Sequence, residues 1–241
     1  LGKEGESMLY VTGDLHGDMN RFSPRFIPCI RRMTEEDCLF VCGDFGFLFY
    51  TDEKRRREQD RQLDRLARYP FHILFVDGNH ENFPLICGYP EETWNGGRIH
   101  RIRRNIYHLM RGQIYTIEGK SIFTFGGAYS IDKAFREEGK SWWPQEMPSE
   151  EEYDQAWKNL QDHGCRVDYI LTHAAPEETM CIFHPVHREE ERLNLFLEWI
   201  REKVDYRHWW FGHLHRDEDL WRHQTALYMD VRDMYRNERI E

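Results

Sequence analysis

Met8-Leu9-Tyr10-Val11-Thr12 runs into Gly13-Asp14-Leu15-His16-Gly17, and the same arrangement recurs four more times. Cys38-Leu39-Phe40-Val41-Cys42 stops at Gly43-Asp44, and Phe71 to Val76 stops at Asp77-Gly78-Asn79-His80. Val167 to Leu171 stops at Thr172-His173, and His208-Trp209-Trp210-Phe211 stops at Gly212-His213-Leu214-His215. Short apolar runs that end on glycine and a polar residue read as buried parallel strands emptying into loops. In open α/β sheets, ligands bind beyond the carboxyl ends of the strands. Asp14, His16, Asp44, Asn79, His173, His213 and His215 are therefore expected along one edge. Strand alternation would turn both members of Asp14-x-His16, and both of His213-x-His215, to one side. Carboxylate and amide oxygen with imidazole nitrogen is a donor set for first-row divalent metals, and one carboxylate such as Asp44 can touch two ions. A lone histidine after a strand is more often a hydrogen-bonded structural group. A set recurring at five strand ends is hard to explain by packing.

The segments between these runs read as helices. Residues 53–69, rich in Arg, Glu, Gln and Leu, suit an exposed crossover helix. Ser149-Glu150-Glu151-Glu152 is a capping box; Tyr153, Ala156, Trp157 and Leu160 follow at helical spacing, and Gly164 can end the helix. Leu193, Phe196, Leu197, Ile200 and Val204 form a second core-facing stripe. The middle differs: residues 105–110, 113–117 and 121–125 are expected to be neighbouring antiparallel strands, the last two joined by a three-residue Glu118-Gly119-Lys120 loop. Strand–helix alternation, a meander and alternation again predict two sheets packed face to face with helices outside. Residues 8–241 are read as one domain, and the patternless residues 1–7 as an added or disordered lead.

Bulk properties narrow the function classes. Lys and Arg number 33 against 43 Asp and Glu, a formal net charge of −10, which disfavours nucleic acid and membrane surfaces as partners. The basic run Arg98 to Arg104 is expected to be a solvated face. Six cysteines lack any Cys-x-x-Cys pair, and Cys38 and Cys42 share parity as small hydrophobes. With no apolar run of membrane-spanning length, the expectation is a soluble, cytoplasmic protein. Gly119-Lys120-Ser121 fails as a phosphate loop, because six residues separate it from Gly112 where four are required and no helix follows. Cys181 and Arg188, with six residues between them, lie outside any strand-to-helix turn, which argues against a cysteine-nucleophile phosphatase.

Gly-Asp14-Leu-His16-Gly, Gly-Asp44, Gly-Asn79-His80-Glu, His173 and Gly-His213-Leu-His215 together resemble the ordered motifs of the calcineurin-like metallophosphoesterases, over nearly the whole chain. The resemblance implies an α/β fold, a four-layer α/β/β/α sandwich of two mixed sheets flanked by helices. It implies one metal held by Asp14, His16, Asp44 and His215, and another held by Asp44, Asn79, His173 and His213. The metals would be two divalent ions (Mn, Fe, Zn, Ni or Co, with Mn favoured). A hydroxide bridging two ions about 3.5–4 Å apart would attack phosphorus in a phosphate mono- or diester, with Asp44 and His80 as catalytic residues and His80 assisting the leaving group. His80 could instead orient Asp77 or a ligand.

The pattern departs from the family where an arginine often follows the second aspartate; here Gly43-Asp44-Phe45-Gly46-Phe47-Leu48-Phe49 offers aromatics that either meet substrate or pack in the core. The stretch Gly126 to Glu146 resembles a segment of a bacterial and phage branch of that family. In it Arg136 could bind phosphate oxygens, and Tyr129, Trp142 and Trp143 could border a ring. Expected substrates are a phosphorylated small molecule or nucleotide. The alternatives are a metal-binding scaffold of weak turnover that engages other proteins, or a nuclease.

Overall fold

The computed structural model describes residues 7–240, so residues 1–6 of the expected lead lie outside the described residues. Ser7 is tied in, its hydroxyl donating to the Glu36 carbonyl at 2.7 Å.

All five apolar runs are strands. β1 (Leu9–Thr12), β2 (Cys38–Val41) and β3 (His72–Phe75) lie parallel, joined by α1 (Glu53–Leu66) between β2 and β3. A four-residue helix, α2 (Phe83–Ile86), follows β3. Next come β4 (Glu91–Trp94), β5 (Gly97–Arg103), β6 (Ile106–Leu109), β7 (Gln113–Ile117) and β8 (Lys120–Phe125). The second half alternates α3 (Glu150–Asp162), β9 (Tyr169–Thr172), α4 (Glu177–Phe183), α5 (Glu191–Lys203) and β10 (His208–Phe211). Four short strands finish it: β11 (Glu218–Leu220), β12 (Gln224–Ala226), β13 (Val231–Asp233) and β14 (Glu238–Arg239).

One mixed sheet has eight strands in the order β14-β13-β1-β2-β3-β6-β5-β4; the other has six, β11-β12-β10-β9-β8-β7. Alternating side chains divide the core into three slabs. Leu9, Val11, Cys38, Phe40, Cys42, Leu74 and Val76 face Tyr115, Ile122, Leu171 and Trp210 between the sheets. Leu39, Val41, Ile73 and Phe75 point the other way, onto Leu63 and Leu66 of α1. Ile170, Trp209 and Phe211 cover the outer face of the second sheet under Ala156, Leu160, Leu193, Leu197 and Ile200. The result is the α/β/β/α sandwich of two mixed sheets. Cys38 and Cys42 are buried on one side, as their parity requires. Ser149 forms the capping box of α3 in full, with both reciprocal hydrogen bonds.

The middle segment departs from expectation in three ways. β6 and β7 do not pair: β6 lies parallel to β3 in the first sheet, while β7 opens the second. The buried Arg111 turns the chain there, its guanidinium donating to Asp77 and to the Gln145 carbonyl. The β7–β8 loop has two residues, because Ile117 pairs with Lys120; Glu118 and Gly119 both take positive φ, as a tight primed turn demands. The basic run Arg98 to Arg104 is largely strand β5, with Ile99 and Ile102 buried and Arg101 and Arg103 paired with Glu92, Asp60 and Asp64. Charge alone concealed its alternation.

Candidate metal centre

The seven expected ligands do converge, though strand alternation is not what aims them. β1 ends at Thr12 and β10 at Phe211, so the ligands stand in the loops beyond. His16, Asp44, His213 and His215 all have φ between 45° and 65°. Left-handed backbone costs a non-glycine residue about 1–2 kcal/mol, and such strain clusters where a site needs a particular aim. The loops are laced together: Leu15 and His16 backbone N–H groups both donate to the Asp44 carbonyl, at 3.0 and 2.8 Å. Beneath them the buried Arg21 donates to the carbonyls of Asp14 and Tyr228 and to the Thr12 hydroxyl. The glycines let functional atoms approach. A Cβ on Gly43, which has φ of +93°, would lie 2.1 Å from His173 Nδ1, and one on Gly212 would lie 2.2 Å from Asp14 Oδ1.

Asp14, His16, Asp44 and His215 each offer a ligand atom within 4.8 Å of all the others. His16 Nε2 and His215 Nε2 are 3.0 Å apart, and His215 Nε2 is 3.1 Å from Asp14 Oδ2. His16 Nε2 lies 3.8 Å from both Asp14 Oδ2 and Asp44 Oδ2. Donors about 2.1 Å from one ion, at angles of 90–110°, stand about 3–3.5 Å apart. The spacing of this quartet is therefore close to that of a coordination shell. On the other side of Asp44, His173 Nε2 is 3.5 Å from Asp44 Oδ1 and 3.2 Å from Asn79 Oδ1. The His173 and His213 ring centroids are 5.0 Å apart. His173 Nδ1 donates to the Cys42 carbonyl at 2.8 Å, which leaves the Nε2 lone pair facing Asn79 and Asp44. Asp44 thus has one oxygen toward each group.

The electrostatics call for a cation. The Asp14 and Asp44 side chains are 0% and 2% exposed, and no lysine or arginine pairs with either among the described residues. Asp14 Oδ2 is buried without a hydrogen-bond donor, since His215 approaches it only as a close charge neighbour. Uncompensated buried carboxylates are costly unless paired or metal-bound. Burial draws His173 down, but Asp44 and Asp14 outweigh it and leave His173 raised. The close approach of Asp14 likewise raises His215, whereas burial and His173 push His213 down to about 3. The residues fit divalent cations on the chemistry of the donor set and on the orphaned Asp14 oxygen.

No family model matches the sequence, and no curated protein matches it. The fold has a solved neighbour. It is similar to a crystal structure named as a candidate 5′-nucleotidase from Staphylococcus aureus in complex with α-ketoglutarate, with a TM-score of 0.52 and 16% identity over 98% of this chain. The chain spans about half of that neighbour, 52% of its length.

Around the centre, His80 donates its backbone N–H to Asp44 Oδ1 at 2.8 Å, and its ring sits 5.0 Å from that of His16. Burial pulls the His80 imidazole down against the charge of Asp44. Arg136 Nη2 reaches His80 Nε2 at 2.7 Å, while Arg136 Nε pairs with Asp132. Tyr129 and Trp142 both hold the Lys133 ammonium over their rings, at 4.1 and 4.3 Å from the centroids. Phe45 and Phe47 are core, but half-buried Phe49 stands beside His80 and the buried Trp143. Asp77 is held in a buried network with His108 and Arg111, whose charge overrides burial and holds the carboxyl well below its usual range. Four residues here escaped the sequence reading: Arg21, Ser130, Glu146 and Glu190. Glu190, buried and raised by burial, lies 3.8 Å from His213 Nε2, yet in sequence it sits within an Arg-Glu-Glu-Glu-Arg run that looks solvated.

Proposed function

We propose that this chain is a metal-dependent phosphoesterase that hydrolyses a phosphate mono- or diester of a small molecule or nucleotide. One observation carries the reading: two buried carboxylates, unpaired with lysine or arginine among the described residues, stand among four histidines in two donor groups that share Asp44. Asp14, His16, Asp44 and His215 would hold one divalent ion, and Asp44, Asn79, His173 and His213 the other. Bound ions there supply Lewis-acid charge for the phosphoryl oxygens and acidify a water.

The chain's own groups do the rest. Asp44 fixes the two ligand groups relative to one another, and its carboxylate also orders His80 through the backbone N–H. Arg136 donates to His80 Nε2, so the neutral ring, favoured by burial, carries its proton on Nδ1, where it would serve as a hydrogen-bond donor to a leaving oxygen. Arg136 brings a fixed positive charge for the phosphate oxygens to the same spot. Phe49 borders His80 and, backed by the buried Trp143, would offer its ring to the organic part of an ester. The neighbour's name as a candidate 5′-nucleotidase is consistent with such a substrate.

The test pairs elemental analysis of purified protein with a phosphoester panel run with Mn²⁺ and with chelator. Two ions per chain and chelator-sensitive turnover are expected. Metal-independent hydrolysis, or bound metal without hydrolysis of any ester, would remove the proposal.

A further inference from the structure

Ser130 belongs to none of the ligand motifs, yet its hydroxyl meets three partners. It donates to Glu146 Oε2 at 2.8 Å, accepts from Asn79 Nδ2 at 3.0 Å and accepts from Arg136 Nη1 at 3.3 Å. Ser130 is itself buried. Glu146 is fully buried, and its other oxygen takes the Ser130 backbone N–H at 2.9 Å and the Lys133 ammonium at 2.7 Å.

A hydroxyl has one proton and two lone pairs, while a carboxylate only accepts. Glu146 therefore claims the one Ser130 proton, and only acceptor capacity remains for Asn79. The Asn79 amide must turn its NH₂ toward Ser130 and its carbonyl oxygen the opposite way, to within 3.2 Å of His173 Nε2. A cation binds the oxygen end of an amide; the reverse orientation would aim N–H groups at it. The assignment of the two ends follows from Glu146 rather than from the shape of the amide, which is nearly symmetric.

We propose that Ser130, polarised by Glu146, is a positioning residue that fixes the amide of Asn79 with its oxygen toward the second cation position. The inference rests on the two-cation reading above. It assigns a purpose to the Gly126–Glu146 stretch: Ser130 and Glu146 stand at its two ends, Lys133 clips it shut, and Arg136 hangs from the same hydroxyl.

The experiment is calorimetric titration of chelator-stripped protein with MnCl₂. Wild type should show two binding events. Ser130→Ala should keep one and lose affinity at the other by about 10–100-fold, the range for outer partners of metal ligands. Ser130→Thr should restore it. Ser130→Cys preserves size but offers a weak acceptor, and should show the same loss should the alanine variant fail to fold. In an Asn79→Ala background, Ser130→Ala should have no further effect, because the two act through one group. The metal-free variants should melt cooperatively, at temperatures below wild type, because the buried Glu146 and Asn79 lose a partner. Two wild-type affinities in both Ser130→Ala and Ser130→Cys would overturn the positioning role and leave the two-cation reading intact. An equal loss with Asn79 already removed would overturn it in the same way. Fewer than two events in the wild type would overturn the two-cation reading, and this proposal with it.

Discussion

At the scale of single residues, Asp44 is the group on which the site turns. Its Oδ2 faces His16 and its Oδ1 faces His173 and the His80 backbone. Asp44→Asn removes the charge and replaces one acceptor oxygen with a donor. Both ions should be lost or weakened and turnover should fall by at least about 10³-fold, measurable by elemental analysis beside kinetics on one aryl phosphate. Arg136 belongs to a different class, since it touches His80 and no metal-type ligand. Arg136→Ala should lower kcat/KM by about 10–100-fold with metal content unchanged; wild-type kinetics in that variant would remove Arg136 from the site. The candidate ligands were legible because each follows the end of an apolar run, five of the seven beside a glycine, a local signal. Ser130 and Glu190 were not, because their meaning comes from partners 51 and 61 residues away.

At the scale of elements, strands written as unbroken apolar runs were readable and the arginine-rich strand β5 was not. Trp94-Asn95-Gly96-Gly97 holds an Asn-Gly turn with both φ positive, a strong hairpin signal that went unread beside an arginine-rich strand. Two strands carry histidines that link stability to pH. His100 on β5 stacks on His108 and is lowered to about 4 by burial and by His108; His208 on β10, bonded to Thr225 Oγ1, is lowered to about 4 by burial. The unfolded chain takes up these protons near the ordinary pKa of 6.5, the native state only near 4. Stability is thus fully present above pH 6.5 and falls as pH drops from there toward 4. The loss is at most about 3 kcal/mol for each histidine. Denaturant midpoints of metal-free protein across pH 4–7 should fall in this way, and His208→Gln should flatten part of the slope.

At the scale of the whole molecule, the site is a seam. Asp14, His16, Asp44, Asn79 and His80 come from loops of the eight-stranded sheet, and His173, His213 and His215 from loops of the six-stranded one. A cation held by both should pin the sheets together. Mn²⁺ at 100 times its Kd should add about 2.7 kcal/mol of stability per site, seen as a rise in Tm that chelator reverses. An unchanged Tm would mean that no ion spans the seam. Two sheets were expected from the order of segments alone. The crossing between β6 and β7 was not, because nothing local in Met110-Arg111-Gly112 marks a change of sheet.

The last crossing has its own consequence. β13 returns from the second sheet to pair antiparallel with β1, joining Tyr10 to Asp233 across more than two hundred residues. The strand that leads to Asp14 therefore keeps a bare edge until the sequence up to Val231 has left the ribosome. Folding must wait on that distant closure, which makes it slow, and a product cut short before Val231 would offer its open backbone to other chains. Such a fragment should collect as aggregate rather than persist as a weakened hydrolase.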